Sequence, residues 1–185
     1  LLLVSCGSDK SDEGDRFYRK GQYEKAIESY SEYLVLNPTD LKSLYNRGRA
    51  YQEVGKDDKA IEDFNRVIKE DPLNVNALLS IANDYYYRIH DYENAIFYSD
   101  KVLKISPNAM AFTLRGQSFQ RLGKLNEAMR AYNDAISTND TYADAYISRG
   151  SLFIYLSQTQ RACTDFKQAK ALDADVENYI SKYCK

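Results

Sequence analysis

Glycine recurs along this chain at intervals of 34 residues or twice that number. One series runs through Gly14, Gly48, Gly116 and Gly150, with Ala82 at the missing position, and the other runs through Gly21, Gly55 and Gly123. Together the two series contain seven of the eight glycines. A fixed interval of about 20 to 50 residues is typical of stacked repeats, in which each unit buries its apolar face against the next. The spacing therefore predicts an array of similar units.

A second marker is an alanine that occupies one further position of every unit. These residues are Ala26, Ala60, Ala95, Ala128 and Ala162, at intervals of 34, 35, 33 and 34 residues. The third unit therefore gains one residue before its alanine, and the regular register returns in the fourth. Proline closes the first three units, at Pro38, Pro72 and Pro107.

Each unit carries the pattern of two helices joined by a tight turn, as the second unit illustrates. Its first half has apolar or small residues at three- and four-residue steps, as an amphipathic helix requires: Leu41, Leu44, Tyr45, Gly48 and Tyr51. Gly55 permits the left-handed backbone that ends this helix. The second helix presents Ala60, Ile61, Phe64, Val67 and Ile68 before Pro72 stops it. We expect Gly48 to face the alanine of the second helix, so that a larger side chain at residue 48 would separate the pair.

Over these positions the chain resembles the tetratricopeptide repeat (TPR) family, whose 34-residue pattern alternates apolar, small and aromatic residues in a fixed order. The second unit matches with Leu44, Gly48, Tyr51, Ala60, Phe64, Val67 and Pro72, and the fifth with Tyr146, Gly150, Phe153, Ala162, Phe166 and Ala169. The resemblance implies an all-α fold, a right-handed α-α superhelix of about five units at residues 7–40, 41–74, 75–108, 109–142 and 143–176. Residues 177–185 would form a helix that caps the last unit.

The same resemblance implies that the first helix of each unit lines a concave groove for an extended peptide or a segment of a partner protein. The corresponding positions here include Lys42, Tyr45, Arg49, Gln52, Asn83, Tyr86, Tyr87, Gln117, Gln120, Arg121 and Tyr155. Their amides can bond a peptide backbone, and their aromatic rings offer contact area at little entropic cost. Any one of these tyrosines could instead fill a gap between helices. Chaperone-binding members grip a C-terminal carboxylate with Lys and Asn, but Ser11 and Asp15 stand at those positions of the first unit, so that clamp is absent.

The N-terminus resembles the processing site of a bacterial lipoprotein. The run Leu3, Val4, Ser5 and Cys6 matches a lipobox, and residues 1–5 would be the remnant of a signal peptide that is removed before Cys6 is lipidated. Residues 6–13 are mostly polar, which predicts a flexible tether between the lipid and the repeats. The alternative is a cloning remnant or an ordinary hydrophobic N-terminal staple.

The other two cysteines are Cys163 and Cys184. Cys163 falls early in the second helix of the fifth unit and Cys184 falls in the proposed cap, so in an oxidising compartment a disulfide could lock the cap in place. The alternative is two reduced thiols, with Cys163 buried as a small hydrophobic side chain. The sequence leaves both alternatives open.

The composition argues against several classes of function. One His and three Cys are too few for a zinc cluster, and the sequence contains no phosphate-binding loop or catalytic triad. The only histidine, His90, falls in the turn of the third unit and is a poor general base there. With 25 basic and 27 acidic residues the chain has no basic stripe for nucleic acid. We therefore expect no enzymatic activity, no cofactor or metal, no small-molecule substrate and no nucleic-acid partner.

The leading interpretation is a non-enzymatic interaction scaffold that a lipid on Cys6 anchors in the bacterial cell envelope, on the periplasmic face of the outer membrane or on the cell surface. Its role there would be in envelope assembly. The alternative is a cytoplasmic TPR adaptor, or the repeat fragment of a larger regulatory protein, in which Cys6 has no special role.

Overall fold

The fold is all-helical over residues 6–184, the part of the chain that the computed structural model describes; side chains are described from residue 10 onward. The helices are α1 (Cys6–Arg19), α2 (Tyr23–Leu36), α3 (Leu41–Glu53), α4 (Asp57–Glu70), α5 (Val75–Asp84), α6 (Tyr92–Ile105), α7 (Ala109–Arg121), α8 (Leu125–Thr138), α9 (Ala143–Tyr155), α10 (Thr159–Ala171) and α11 (Glu177–Tyr183). A π-helical turn, Tyr85–Ile89, directly follows α5. The chain divides into two compact units, the N-terminal unit Leu1–Asp84 and the C-terminal unit Tyr85–Lys185. No helix within residues 6–184 is both long and apolar enough to cross a membrane.

In the N-terminal unit each helix pair packs around a buried aromatic ring. Helix α1 packs against α2 and α3 packs against α4, and the rings of Tyr30 and Phe64 are buried within these pairs. A Cβ atom placed on Gly48 would lie 2.7 Å from Cε1 of Phe64. The predicted close approach at Gly48 is therefore confirmed, and the atoms nearest to such a Cβ belong to an aromatic ring. Phe64 follows Ala60 by one helical turn, and helical side chains lean toward the N-terminus, so the ring lies on the same helix face as the alanine.

The C-terminal unit repeats this packing and ends with a short helix. The rings of Tyr132 and Phe166 lie against Gly116 and Gly150, where an added Cβ would again be 2.6 and 2.7 Å from the nearest ring carbon. Helix α11 lies within the predicted cap at residues 177–185 and packs against α10. Ile180 and Tyr183, which the sequence places on the inner face of the cap, do contact the core cluster of α9 and α10.

Residues 6–13, predicted to be a flexible tether, are helical in the structure, because α1 begins at Cys6. Ser11 accounts for the difference. Its side chain is buried, and its hydroxyl oxygen lies 2.9 Å from that of Ser43 on α3. A segment with a buried, hydrogen-bonded side chain is part of the repeat array. Residues 1–5, which include Leu3, Val4 and Ser5 of the predicted lipobox, lie outside the described residues.

The turns between paired helices have a left-handed residue at a fixed position. Gly55 has φ of +69° there, which glycine adopts without steric cost. In the third and fifth units the same place is taken by His90 and Ser157, with φ of 61° and 59°. The turn conformation is thus kept where the glycine series is interrupted.

The extra residue of the third unit forms the π-helical turn. In the second unit the N–H of Lys56 donates to the C=O of Tyr51, five residues earlier, at 2.9 Å. In the third unit the corresponding bond runs from the N–H of Asp91 to the C=O of Tyr85, six residues earlier, at 2.9 Å. A π turn takes up one inserted residue without ending the helix, and such turns are frequent at functional sites.

Candidate peptide-binding surface

In the N-terminal unit, two predicted contact residues of α3 reach across to α1. The Nζ of Lys42 lies 2.8 Å from the carboxylate of Asp15. The guanidinium of Arg49 lies over the ring of Tyr18, 5.0 Å from its centroid. Both cations therefore hold successive first helices together.

Asp15 is the centre of this network. Its Oδ1 accepts hydrogen bonds from the Tyr30 hydroxyl at 2.6 Å and from the Asn46 amide at 3.0 Å. Burial alone would raise the pKa of Asp15, but the hydrogen bonds from Lys42, Tyr30 and Asn46 outweigh burial and hold that pKa below its usual value. The carboxylate is therefore charged at neutral pH and ties α1 to both α2 and α3.

The other predicted residues of this unit connect α3 to α5. The amide of Gln52 donates to Asp84 at 2.7 Å. The hydroxyl of Tyr45 lies 3.5 Å from that of Ser80, and its ring packs 5.5 Å from the ring of Phe64. Asn83 is half-buried on α5. The sequence predicted ligand contacts at these positions. In the structure, the side chains of Tyr45 and Gln52 contact other residues of the protein.

In the C-terminal unit the π-helical turn gathers four side chains that we call the aromatic cluster: Tyr86, Tyr87, Tyr92 and Arg121. The ring of Tyr86 lies 4.6 Å from that of Tyr87 and 5.6 Å from that of Tyr92. Arg121 of α7 donates from Nε to the Tyr92 hydroxyl at 3.1 Å, and its guanidinium lies 5.3 Å over the same ring. Burial raises the pKa of Tyr86 and of Tyr87, so both phenols are neutral hydrogen-bond donors at physiological pH.

The two predicted glutamines of α7 have different surroundings. Gln117 accepts a hydrogen bond from the Tyr87 hydroxyl at 3.4 Å and donates to Ser148 of α9 at 3.0 Å, so it links the π-helical turn to α9. Gln120 accepts from the hydroxyl of the buried Tyr132 at 2.8 Å. Its amide oxygen is thus engaged by the core, and the peptide contact of Gln120 stays a prediction for its NH2 group.

Three large side chains of the C-terminal unit are exposed and available to a ligand. Tyr87 is 58% exposed, Tyr155 is 70% exposed and Met110 is 41% exposed. Tyr155 follows Ser148 by seven residues on α9, which places both on one helix face. The bond between Gln117 and Ser148 therefore joins the face that carries Tyr155 to the aromatic cluster.

Cys163 and Cys184 are joined by a disulfide in the structure, which is one of the two alternatives the sequence left open. Cys6 is the first residue of α1, and its side chain is outside the described part. His90 is exposed in its turn, and its Nδ1 lies 3.2 Å from the C=O of Tyr86. Within the described residues no three His, Cys, Asp or Glu side chains are grouped so that they could hold a metal ion.

Sequence reasoning missed Tyr92, which contacts both Tyr86 and Arg121. Tyr92 is the first residue of α6, a second helix, and the expected contact positions fall only on first helices. The one signal was the interval of 35 residues before Ala95, which marks the insertion that forms the π-helical turn.

Family models for tetratricopeptide repeats match three stretches of the chain. A TPR repeat model matches residues 14–55, and two tetratricopeptide repeat models match residues 41–74 and 111–142. Among curated relatives, the DnaJ homolog subfamily C member 3 homolog of Dictyostelium discoideum is 23% identical over 186 residues. The match covers 92% of this chain and 35% of the relative, so the chain spans about a third of that protein's length.

Several solved structures have the same fold. MamA from Desulfovibrio magneticus superposes with a TM-score of 0.81 at 19% identity, covering 95% of this chain and 99% of that structure. PilW superposes with a TM-score of 0.78 at 17% identity, covering 92% and 79%. At these identities the similarity establishes the fold alone. The chain thus carries tetratricopeptide repeats and has the all-α fold of a TPR solenoid, the architecture of a protein-interaction scaffold.

Proposed function

We propose that the protein binds an extended segment of a partner protein on its C-terminal unit, on the side where the first helices of the repeats lie. The observation that carries this proposal is the exposure of Tyr87 and Tyr155, which are 58% and 70% exposed. Aromatic side chains are enriched at protein interfaces, because they bury a large area while few rotatable bonds are immobilised.

Arg121 adds a polar anchor to this surface. Its hydrogen bond to the Tyr92 hydroxyl holds the guanidinium over the ring, so little further ordering is needed when a ligand arrives. The remaining N–H groups of the guanidinium can donate to a peptide carbonyl or a carboxylate. A ligand segment with an aromatic or aliphatic residue next to an acceptor group suits this arrangement.

We further propose that the protein is a lipoprotein of the bacterial cell envelope, anchored by acyl chains on Cys6 and active in envelope assembly. The lipobox-like residues that precede Cys6 support the anchor. Because α1 begins at Cys6, the repeats would lie close to the membrane surface with no long linker. PilW, which has a similar fold, is a type IV pilus biogenesis factor, and such a role is consistent with the envelope proposal.

A second candidate is an adaptor outside the envelope, cytoplasmic or part of a longer chain. The chain covers only 35% of its DnaJ-type relative, which supports this candidate. The disulfide between Cys163 and Cys184 weighs against a reducing cytosol. We therefore prefer the proposal that the protein is a lipoprotein of the cell envelope.

Replacing both Tyr87 and Tyr155 by Ala should weaken peptide binding at least tenfold, because truncation of aromatic interface residues commonly costs more than about 1.4 kcal/mol. Peptides selected from a displayed random library on the wild-type protein provide the ligands, and titration calorimetry gives their Kd. Phe97→Ala is the matched control, since Phe97 is 52% exposed but lies on α6, a second helix. Equal affinity of the double variant and the wild type, with unchanged helical content, would contradict the binding proposal.

Lipidation is tested with the protein expressed from its complete reading frame in a bacterial host fed a radioactive fatty acid. We expect the label on the wild type and its loss on Cys6→Ser. Cys163→Ser should keep the label, because that cysteine lies within α10. Absence of Cys6-dependent label would rule out the anchor and leave the adaptor as the remaining candidate.

A further inference from the structure

Two repeats contain the same arginine–aspartate pair between their helices. Arg47 of α3 donates from Nε and Nη2 to the carboxylate of Asp63 on α4, both at 2.7 Å. Arg149 of α9 binds Asp165 of α10 in the same bidentate way, at 2.9 and 2.8 Å. Both aspartates are buried, at 2% and 3% exposure. A guanidinium edge and a carboxylate fit each other in this geometry, so these are strong charge-assisted pairs.

The other edge of each guanidinium reaches the second helix of the preceding repeat. Nη1 of Arg47 donates to the Ser31 hydroxyl on α2 at 3.1 Å. Nη1 of Arg149 donates to the Asn133 amide oxygen on α8 at 2.7 Å. Each arginine thus bridges two second helices, with one partner from the earlier repeat and the carboxylate from its own.

The fourth repeat has the arginine without the carboxylate. Arg115 lies 68 residues after Arg47, and the residue at the corresponding distance from Asp63 is Ala131. The residue that corresponds to Ser31 is Ser99. The Nε of Arg115 and the hydroxyl oxygen of Ser99 are both buried and have no hydrogen-bond partner in the described structure. Ser99 and Ala131 are completely buried.

The charge of Arg115 is only weakly balanced. Its nearest acidic partner is Asp100, with Nη1 and Oδ1 3.5 Å apart and a carboxylate side chain that is 46% exposed. Arg47, by contrast, has both nitrogens of its Nε edge bonded to one carboxylate. A buried donor left unpaired costs free energy that the correct acceptor recovers. The group that the site lacks, relative to the other two repeats, is a single carboxylate.

We propose that Arg115, Ser99 and Ala131 form a binding site for one carboxylate group that comes from outside this chain. The carboxylate would take the place that Asp63 and Asp165 hold in their repeats, accepting from the Nε edge of Arg115. The Arg115 side chain is 27% exposed, compared with 15% for Arg47 and 21% for Arg149, so it is the most exposed of the three, although its Nε atom itself is buried. The source is either an acidic side chain of a partner protein or a small free carboxylate.

The test is the melting temperature of the full chain, measured by circular dichroism in sodium formate and in sodium chloride at equal ionic strength. Formate is the smallest carboxylate and makes the least steric demand. We expect formate to raise the melting temperature of the wild type by about 2 °C more than chloride does, because a ligand that binds only the folded state stabilises it.

Two variants identify the site. Ala131→Asp supplies the missing carboxylate from within the chain, and it should melt higher than the wild type in chloride and lose the formate response. Asp63→Ala opens the equivalent site beside Arg47 and should gain a formate response. If Ala131→Asp does not fold, Arg115→Gln takes its place, since loss of the guanidinium must also abolish the response.

N-acetylaspartate amide separates the two sources of the carboxylate. Stabilisation by this ligand as well as by formate identifies an acidic side chain of a partner protein, and stabilisation by formate alone identifies a free small carboxylate. A wild-type response to formate no larger than that of Ala131→Asp, or of Arg115→Gln where that variant replaces it, would overturn the proposal, whether or not Asp63→Ala responds.

Discussion

Gly48→Val is expected to lower the free energy of unfolding by about 3 kcal/mol, at the upper end of the range for an overpacked core. The first atom of any side chain at this position would lie 2.7 Å from Cε1 and 3.0 Å from Cδ1 of Phe64. The ring is completely buried, and protein interiors are close-packed, so little space is expected into which it could rotate. The helices must therefore separate, or the ring must leave its rotamer.

The sign of this effect is opposite to that expected for an exposed helix. Glycine in the interior of a helix is normally about 1 kcal/mol less favourable than alanine, so replacing it would stabilise the helix if space allowed. At Gly48 steric overlap outweighs propensity. The same contact recurs at Gly14, Gly116 and Gly150, each against a ring of its own repeat. A helix-propensity argument alone would therefore recommend the wrong substitution at four positions.

Urea unfolding followed by circular dichroism measures the effect. Asn65→Val on α4 is the matched control, because Asn65 is exposed and the change adds the same β-branched side chain to a helix. The double variant Gly48→Val with Phe64→Ala should lose less stability than the sum of the single changes, since removing the ring makes the space. Gly48→Val within about 0.5 kcal/mol of Asn65→Val would show that the pair repacks without strain.

The repeat architecture could be predicted from the sequence because it depends on small residues at fixed intervals. Gly48 and Ala60 have counterparts in the other four repeats, with Ala82 in place of the glycine in the third, so the pattern recurs five times. The identity of the group that faces Gly48 was less accessible. It depends on the direction in which the Phe64 side chain leans, which residue spacing does not report.

The candidate surface was predicted only in part, for a physical reason. The sequence assigns Gln52 and Gln120 to ligand contacts by position, whereas their partners, Asp84 and the Tyr132 hydroxyl, are set by which polar groups lie within reach in the folded chain. Tyr87 and Tyr155 were also assigned by position, and their exposure keeps them available. The position of a residue within its repeat predicts on which helix face it lies. Whether its side chain is available to a ligand depends on the hydrogen bonds that it forms within the folded chain.

Cys184→Ser is expected to remove roughly 3 kcal/mol of stabilisation from the C-terminal cap, the value for a disulfide that closes a loop of about 20 residues. Helix α11 has only seven residues, which is too short to persist by its own hydrogen bonds. It is held by the bond to Cys163, by the packing of Ile180 and Tyr183 on the α9–α10 core, and by the ring of Tyr179 stacked 4.8 Å from that of Phe166.

Hydrogen exchange read by mass spectrometry measures this prediction locally. In Cys184→Ser, or in the reduced wild type, the amides of residues 177–183 should exchange about a hundredfold faster, because 3 kcal/mol of lost protection corresponds to roughly two powers of ten. Cys6→Ser should leave these amides unchanged, since Cys6 is not a partner in the disulfide. If the cap exchanges equally slowly with and without the disulfide, the noncovalent contacts, which include the ion pair of Lys170 with Glu177, hold α11 by themselves. The bond between Cys163 and Cys184 would then contribute nothing to closing the end of the solenoid.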